Sequence, residues 1–202
     1  MNTYLSLSIS IQQIPWISLV MIVIIAFSGV LVNVTRNAKP QDLLKSFDGK
    51  TILWFRILYP AGIIAAFICM YQGWGQWFDE FNFTIFITGF ALFVIGLILR
   101  WVAILSLKRS FTVKISILEN HQLKTDGVYR WMRHPSYTGL LLYYFGLGLV
   151  MNNVISILLL LLVNGLTLYQ RIPLEEKALS EHFGEQWDSF AAKTKRLIPG
   201  IF

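Results

Sequence analysis

Residues 137–170 read YTGLLLYYFGLGLVMNNVISILLLLLVNGLTLYQ, two apolar runs separated only by Asn152 and Asn153. A helix needs about 20 apolar residues to cross a bilayer; the second run is close to that length, and the first is short of it. A two-residue connection makes consecutive helices run antiparallel and side by side. The stretch therefore predicts a tight helical hairpin in a membrane.

Three further apolar runs precede the hairpin. The chain is 55% hydrophobic and 14% charged, whereas soluble domains are about 45–50% apolar and about 25% charged. We predict an all-α polytopic membrane protein with about five transmembrane helices in one membrane domain over residues 1–202. Three spans occupy 1–105, and 106–202 hold the hairpin and a C-terminal segment. The predicted spans are Pro15–Val34, Ile52–Tyr71, Phe83–Leu105, Tyr137–Met151 and Val154–Gln170.

The charges of the connecting loops predict the orientation in the membrane. Lys and Arg cluster after spans one, three and five, whereas the connection after span two carries Asp79 and Glu80 and no basic residue. Because basic residues accumulate on the cytoplasmic side, the N-terminus is predicted outside and the C-terminus cytoplasmic. Arg56 and Arg100, near span ends, are expected to extend to the headgroups. Without a basic stripe or stacking platform, we expect no nucleic-acid partner.

Two polar stretches flank the hairpin, at Glu119–Gly139 and at Arg171–Trp187. The hairpin brings them to the same membrane face, which places His134 near Glu175. Pro135 is suited to the first turn of a helix, where free N–H groups near His134 attract a carboxylate. Aromatic residues of the first stretch either stack on a planar base or anchor in the headgroup region.

The second stretch begins Arg171-Ile172-Pro173-Leu174-Glu175-Glu176. We expect Pro173 to break or restart the helix. Glu175 and Glu176 would then lie in a first turn, where the helix dipole favours carboxylates. Arg171 and Glu175 are four residues apart, so they are also predicted to form an ion pair facing a cavity. The residues alone leave both interpretations open.

Glycine and cysteine positions add two expectations. Gly139 and Gly146, seven apart in span four, predict close helix contact. The single cysteine, Cys69, excludes a disulfide within the chain, and the sequence contains no metal-ligand pattern.

Two sequence blocks resemble the isoprenylcysteine carboxyl methyltransferase family, whose members are membrane enzymes that use S-adenosylmethionine. The first block is Gly127-x-Tyr129-x-x-x-Arg133-His134-Pro135-x-Tyr137-x-Gly139. The second is Arg171-x-Pro173-x-Glu175-Glu176, followed by Phe183-Gly184 and Arg196-Leu197-Ile198-Pro199. The resemblance covers about Ser116 to Pro199.

The resemblance implies an S-adenosylmethionine pocket formed by cytosolic segments, with an opening towards the lipid for a lipophilic or prenylated substrate. It implies that Arg171 and Glu175 lie nearest the transferred methyl group, with Arg171 holding the acceptor carboxylate and Glu175 fixing the guanidinium. No metal is implied. The implied cofactor-binding residues are His121, Val128, Tyr129, His134, Tyr137 and Glu176.

Two other functions remain open at this stage. One is a membrane reductase that uses a nicotinamide cofactor, and the other is a catalytically silent relative that binds lipid. The acceptor is also open, because a phospholipid amine, an isoprenoid acid or a lipophilic thiol would suit the same pocket as a prenylated carboxylate.

Overall fold

The computed structural model describes residues 14–36, 43–46, 51–78, 82–118 and 121–200. Asp79 and Glu80, used above for the orientation, lie outside these residues. In chain order the helices and strands are α1 (Ile14–Arg36), β1 (Leu43–Ser46), α2 (Thr51–Tyr71), α3 (Phe83–Ser106), β2 (Ser116–Leu118), α4 (Pro135–Val150), α5 (Val154–Phe183) and α6 (Glu185–Lys193).

Most of the described chain is helical, and its helices are apolar. Within the described residues, α1, α3 and α5 are each long and apolar enough to cross a membrane, and the described side chains of α2 form a shorter apolar helix from Arg56 to Tyr71. The predicted all-α membrane fold is confirmed. The count of five spans stays a prediction, because α4 has only 16 residues.

Helices α3 and α4 pack backbone to backbone through two pairs of glycines. A Cβ atom built on Gly96 would lie 2.6 Å from the Gly139 carbonyl oxygen, and one built on Gly89 would lie 2.8 Å from the Gly146 oxygen. Small residues allow such an approach, which is how membrane helices commonly associate. The predicted close contact at Gly139 and Gly146 is therefore confirmed, and its partner is α3.

The hairpin between α4 and α5 turns at the two asparagines, as predicted. Asn152 adopts a left-handed conformation with φ of 50°, which Asn tolerates better than most residues. The Asn153 side chain caps α5 by accepting from Ser156 N at 2.8 Å. The loop after α2 is joined to this turn, since Val154 N donates to Gly75 O at 2.8 Å and Asn153 Nδ2 donates to Trp74 O at 2.7 Å.

The expectation that Pro173 breaks the helix is wrong. Helix α5 continues through Pro173 to Phe183. A proline removes its own N–H donor and crowds the preceding turn. Here Arg171 and Ile172 are buried at 5% and 4% exposure, so packing on the preceding turn holds the helical path. Glu175 and Glu176 consequently lie on a continuing helix rather than in a first turn.

Two short segments complete the framework around the helices. β1 and β2 pair in an antiparallel ribbon, which the sequence did not predict because its strands have only four and three residues. Residues Thr194–Leu197, here called the C-terminal strap, lie against the chain before α4. Arg133 N donates to Lys195 O at 2.8 Å and His134 N donates to Arg196 O at 2.9 Å.

Candidate active site

A cavity of about 600 Å³ extends from the membrane helices to the two polar stretches. Its volume is within the usual range of ligand sites, about 300–1,000 Å³. One part is lined by apolar and aromatic side chains of α1, α2 and α4, including Ile25, Ile63 and Leu140. The other end is polar, and its wall includes Arg100, His121, His134, Tyr137, Arg171 and Glu175.

Tyr137 connects Arg171 to Glu175 at the polar end. Arg171 Nε donates to the Tyr137 hydroxyl at 2.8 Å, and that hydroxyl donates to Glu175 Oε2 at 2.6 Å. Arg171 also donates from Nη2 to the Val113 carbonyl oxygen. The predicted direct ion pair between Arg171 and Glu175 is therefore replaced by a bridged arrangement, because Tyr137 of the facing helix inserts its hydroxyl between them.

Glu176 is bound by three side chains of the protein itself. Its Oε1 accepts from Arg133 Nε at 2.9 Å and lies 3.2 Å from His134 Nε2. Its Oε2 accepts from Arg196 Nη2 at 2.7 Å and from Arg196 Nε at 3.0 Å. Both oxygens are occupied, and Glu176 is absent from the cavity wall. The predicted meeting of the two polar stretches is confirmed by these contacts and by the bond from Tyr137 to Glu175.

The predicted cofactor residues divide into two groups. His121, Tyr129, His134 and Tyr137 line the cavity, whereas Val128 and Glu176 do not. Val128 packs in a small apolar cluster with Tyr129, Trp187 and Phe190. The His134 and Tyr137 rings stack with centroids 5.4 Å apart.

His121 brings an unsatisfied polar atom to the cavity wall. Its Nδ1 atom is buried without a hydrogen-bond partner among the described residues. The edge of the ring packs against Phe183, with centroids 5.5 Å apart. Burial, together with the charge of neighbouring His182, lowers the pKa of His121 below its usual value of 6.5. A neutral imidazole with a buried free nitrogen is suited to a polar ligand group.

Arg100 is the principal site residue that the sequence did not predict. It was expected to extend to the headgroups, but it lines the cavity. Its Nη1 atom donates to Ser136 Oγ at 3.2 Å and more weakly to Ser136 O at 3.4 Å. Nε and Nη2 have no hydrogen-bond partner among the described residues. The glycine pattern could have identified it, because Gly89, Gly96 and Arg100 share the face of α3 that meets α4.

Comparison with known proteins finds a family whose sequence model matches part of this chain. A sequence model of the isoprenylcysteine carboxyl methyltransferase family matches residues 88–181. Protein-S-isoprenylcysteine O-methyltransferase B of Arabidopsis thaliana is 38% identical over 115 residues, covering 56% of this chain and 58% of that protein. Protein-S-isoprenylcysteine O-methyltransferase of Schizosaccharomyces pombe is 34% identical over 125 residues, covering 60% and 53%.

A solved structure of the eukaryotic intramembrane Ras methyltransferase, an isoprenylcysteine carboxyl methyltransferase, has a TM-score of 0.58 and 27% identity. The similarity covers 73% of this chain and 52% of that one. The chain thus spans little more than half the length of these relatives.

The fold and the cavity define an integral membrane protein with a polar site at one end of an apolar cavity. Over residues 88–181, which include α4, Arg171 and both glutamates, the chain matches the sequence model of the isoprenylcysteine carboxyl methyltransferase family. The resemblance predicted from the two sequence blocks is confirmed in this region.

Proposed function

We propose that this protein is a membrane methyltransferase that esterifies the carboxylate of a lipophilic, isoprenylcysteine-like acceptor. The observation that carries the proposal is a cavity that joins an apolar wall in the membrane helices to a polar end whose wall includes Arg100 and Arg171. An amphiphilic acceptor needs both parts, because its hydrocarbon must stay out of water while its carboxylate reaches a charged site. The relatives named above, whose names specify isoprenylcysteine, support this choice of acceptor.

The chain's own residues are suited to S-adenosylmethionine as methyl donor. The free Nδ1 of His121 and the stacked rings of His134 and Tyr137 offer polar and planar contacts on the cavity wall. We propose that His121, Tyr129, His134 and Tyr137 hold this cofactor, and that Glu175 provides negative charge beside a cationic ligand. When bound, the cofactor supplies an electrophilic methyl group on a sulfonium.

Arg100 and Arg171 have different roles in this proposal. Arg100 keeps Nε and Nη2 available beside the cavity, so it binds the acceptor carboxylate through its planar fork. Arg171 is 5% exposed and holds the Tyr137 hydroxyl, which in turn fixes Glu175. No general base is needed, since a carboxylate is already ionised at neutral pH. The residues therefore contribute alignment and exclusion of water.

The test uses purified protein in lipid nanodiscs with methyl-labelled S-adenosylmethionine. Farnesylated cysteine should give a base-labile labelled methyl ester. Arg100→Gln should raise KM for this acceptor at least tenfold, about 1.4 kcal/mol, without changing the affinity for S-adenosylhomocysteine. Arg100→Lys should give a KM for the acceptor between those of the wild type and Arg100→Gln.

Three other outcomes would replace the proposal. Labelled phospholipid or thioether from a lipid extract would identify a different acceptor. Hydride transfer from a nicotinamide cofactor would identify a reductase. Binding of lipid without turnover of any of these compounds would identify a silent relative.

A further inference from the structure

Arg56 is a further cation of the cavity wall, and it lies outside residues 88–181, which match the family model. Its place near a span end predicts that it extends to the headgroups, but in the structure it lines the cavity. It is in the second turn of α2, one turn before Tyr59 and Pro60, which line the same wall. Among the described residues its side chain has no hydrogen-bond or ion-pair partner. A charge in a membrane helix is costly, so its position at a cavity indicates a function.

The cavity is open on one side, between α1 and α2. Residues on one face of each helix line the cavity and are also exposed, so no other described helix covers these faces. Spacings of three and four residues place each set on one side of its helix. We call this side the lateral opening, and its rims are Ala26, Val30 and Asn33 on α1 and Arg56, Pro60 and Ile64 on α2.

Packing closes the neighbouring sides of the cavity. A Cβ atom built on Gly62 of α2 would lie 2.9 Å from Val163 Cγ2, so α2 meets α5 closely. On the α4 wall, Tyr143 and Tyr144 are buried at 5% and 2% exposure. By contrast, a Cβ atom on Gly29, which lines the cavity on α1, would have no atom within 4 Å. An acceptor dissolved in the bilayer therefore reaches the cavity most directly between α1 and α2.

Arg56 lies at the polar end of the lateral opening. Here α1 and α2 are joined through β1, which pairs with β2, and Ser116 and Ile117 of β2 line the cavity. Ile64, at the other end of the α2 rim, is about two turns further on, or roughly 12 Å along the helix. A hydrocarbon chain that lies in the opening from Ile64 towards the ribbon therefore has its carboxylate beside Arg56.

Arg56 and Arg100 meet this carboxylate in different surroundings. Arg56 is exposed, so its attraction for an anion acts at the entrance and is weakened by salt. Arg100 is half-buried and donates to Ser136 Oγ at 3.2 Å, which restricts the orientation of its guanidinium. An exposed cation at an entrance raises the local concentration of an anionic ligand. A guanidinium with a fixed orientation aligns that ligand instead.

We propose that Arg56 is a specificity-determining residue that binds the carboxylate of the acceptor at the lateral opening, before the carboxylate reaches Arg100. This inference rests on the proposed function and deepens it, because it states how the site selects an anionic lipid over a neutral one. Esterification removes the negative charge of the acceptor, so the product is no longer attracted to either arginine. The same opening therefore favours entry of the acid and release of the ester.

The test compares an acid with its own ester. N-acetyl-farnesylcysteine carries one charge, on its carboxylate, and its methyl ester carries none. Binding to protein in phosphatidylcholine nanodiscs is measured by competition with labelled acid, and turnover with methyl-labelled S-adenosylmethionine. Arg56→Gln should weaken binding of the acid and raise its KM about tenfold. The affinity for the ester and kcat should stay at wild-type values. Arg56→Lys should retain wild-type behaviour, since attraction at the entrance needs a charge and not a planar fork.

Salt provides a readout that a packing role of Arg56 would not change. Raising NaCl from about 0.05 M to about 0.5 M should weaken binding of the acid to the wild type, because screening shortens the reach of an exposed charge. Arg56→Gln should lose most of this dependence. Arg130→Gln is the matched control, because it removes an arginine that lies over the Trp131 ring at 4.9 Å and does not line the cavity. It should bind the acid as the wild type does.

A second pair of variants tests where the hydrocarbon of the acceptor lies. Gly29→Leu fills open space beside the α1 rim, so it should weaken binding of the acid and of the ester alike, by about tenfold. Gly165→Leu is its control, because a Cβ atom there also meets open space, while Gly165 does not line the cavity. The affinity for S-adenosylhomocysteine should be the same in both variants, which shows that the polar end is folded.

Each result decides the matter in one direction. Equal weakening of acid and ester binding in Arg56→Gln would make Arg56 a packing residue and overturn the inference. Wild-type affinity for the acid in Arg56→Gln, or wild-type acceptor binding in Gly29→Leu, would also overturn it. A wild type that binds the acid through Arg56 but forms no methyl ester would overturn the proposed function and leave the acid site standing.

Discussion

At the scale of single residues, the Tyr137 hydroxyl organises the polar end of the cavity. A phenol has one proton to donate and can also accept. Because Arg171 can only donate and an ionised Glu175 can only accept, the phenol proton must point towards Glu175. The two hydrogen bonds, of 2.8 Å and 2.6 Å, therefore run in one direction, from the guanidinium through the hydroxyl to the carboxylate.

Replacing Arg171 by lysine tests this series of hydrogen bonds. Lysine keeps the charge but loses the planar fork, so it cannot hold the Tyr137 hydroxyl and the Val113 carbonyl in the same geometry. We expect turnover to fall about 100-fold, or about 2.7 kcal/mol. The fall in turnover is measured from initial rates of methyl-ester formation. The samples compared must have the same size-exclusion profile as the wild type.

The control for this variant is Arg130→Lys, which changes an exposed arginine and should retain wild-type rates. Tyr137→Phe should lower the rate in the same direction as Arg171→Lys. If Arg171→Lys turned over at the wild-type rate, Arg171 would only anchor the end of a membrane helix.

The sequence predicted which residues meet at the site better than how they are bonded. A short hairpin forces His134 and Tyr137 towards Glu175 and Glu176, and this convergence is local geometry. The bridging by Tyr137 and the binding of Glu176 by Arg196 depend on side-chain directions across separate elements. Helical spacing alone therefore predicted a direct ion pair between Arg171 and Glu175, whereas in the structure the Tyr137 hydroxyl bridges the two side chains.

At the scale of helices, the glycine contact between α3 and α4 controls where Arg100 lies. Gly139 faces the backbone of α3, and a Cβ atom there would lie 2.7 Å from Arg100 N. Only a close approach of the two helices brings the guanidinium to Ser136, at the first turn of α4. The contact thus links packing in the membrane to the proposed acceptor site.

Gly146→Ala should separate these helices. The added methyl group would meet Phe93 N at 2.5 Å, and backbone atoms cannot move aside as a flexible side chain can. We expect a loss of about 1–3 kcal/mol in unfolding free energy, as is typical of overpacking. Reversible unfolding in mixed micelles would measure it.

Gly165→Ala in α5 is the matched control. No atom lies within 4 Å of its added Cβ position, and alanine favours helix over glycine by up to about 1 kcal/mol. The two alanine variants should therefore shift stability in opposite directions. Equal effects would show that the glycine pairs do not determine the packing.

Local sequence rules failed for the helix containing Pro173 and for the β-ribbon. Proline predicts a helix break because it removes one backbone hydrogen bond, but contacts of the buried residues in the preceding turn outweigh the loss of that bond. The ribbon joins two segments about seventy residues apart, each too short to show an alternating pattern. Both features depend on distant contacts rather than on periodicity.

At the scale of the whole molecule, the loop after α2 and the hairpin turn lie at the same end, and the cavity's polar wall lies at the other. Gln76 forms a backbone bridge with Asn153, which joins the loop to the turn. The loop charges predict that this end is outside and that the polar wall is cytoplasmic. The structure shows that the hairpin turn and the polar wall lie at opposite ends of the molecule. Which end faces the cytoplasm remains a prediction.

Cysteine labelling in intact cells tests the orientation. In a Cys69→Ser background, a cysteine at the exposed Gln76 should react with a membrane-impermeant maleimide. A cysteine at the exposed Gln122 should react only after the membrane is permeabilised. The reverse pattern would invert the orientation, and labelling of both positions would show mixed insertion.

The position of the C-terminal strap in the chain has a consequence for biogenesis. Residues 194–197 follow every helix described above, so they leave the ribosome after those helices have been synthesised. Until they are made, His134 lacks the carbonyl of Arg196, and Glu176 lacks one of its two guanidinium partners. Insertion into the membrane can therefore precede completion of the polar site, and a chain that stopped after α6 would lack these bonds to His134 and Glu176. The membrane helices would then be in place before the polar end of the cavity was complete.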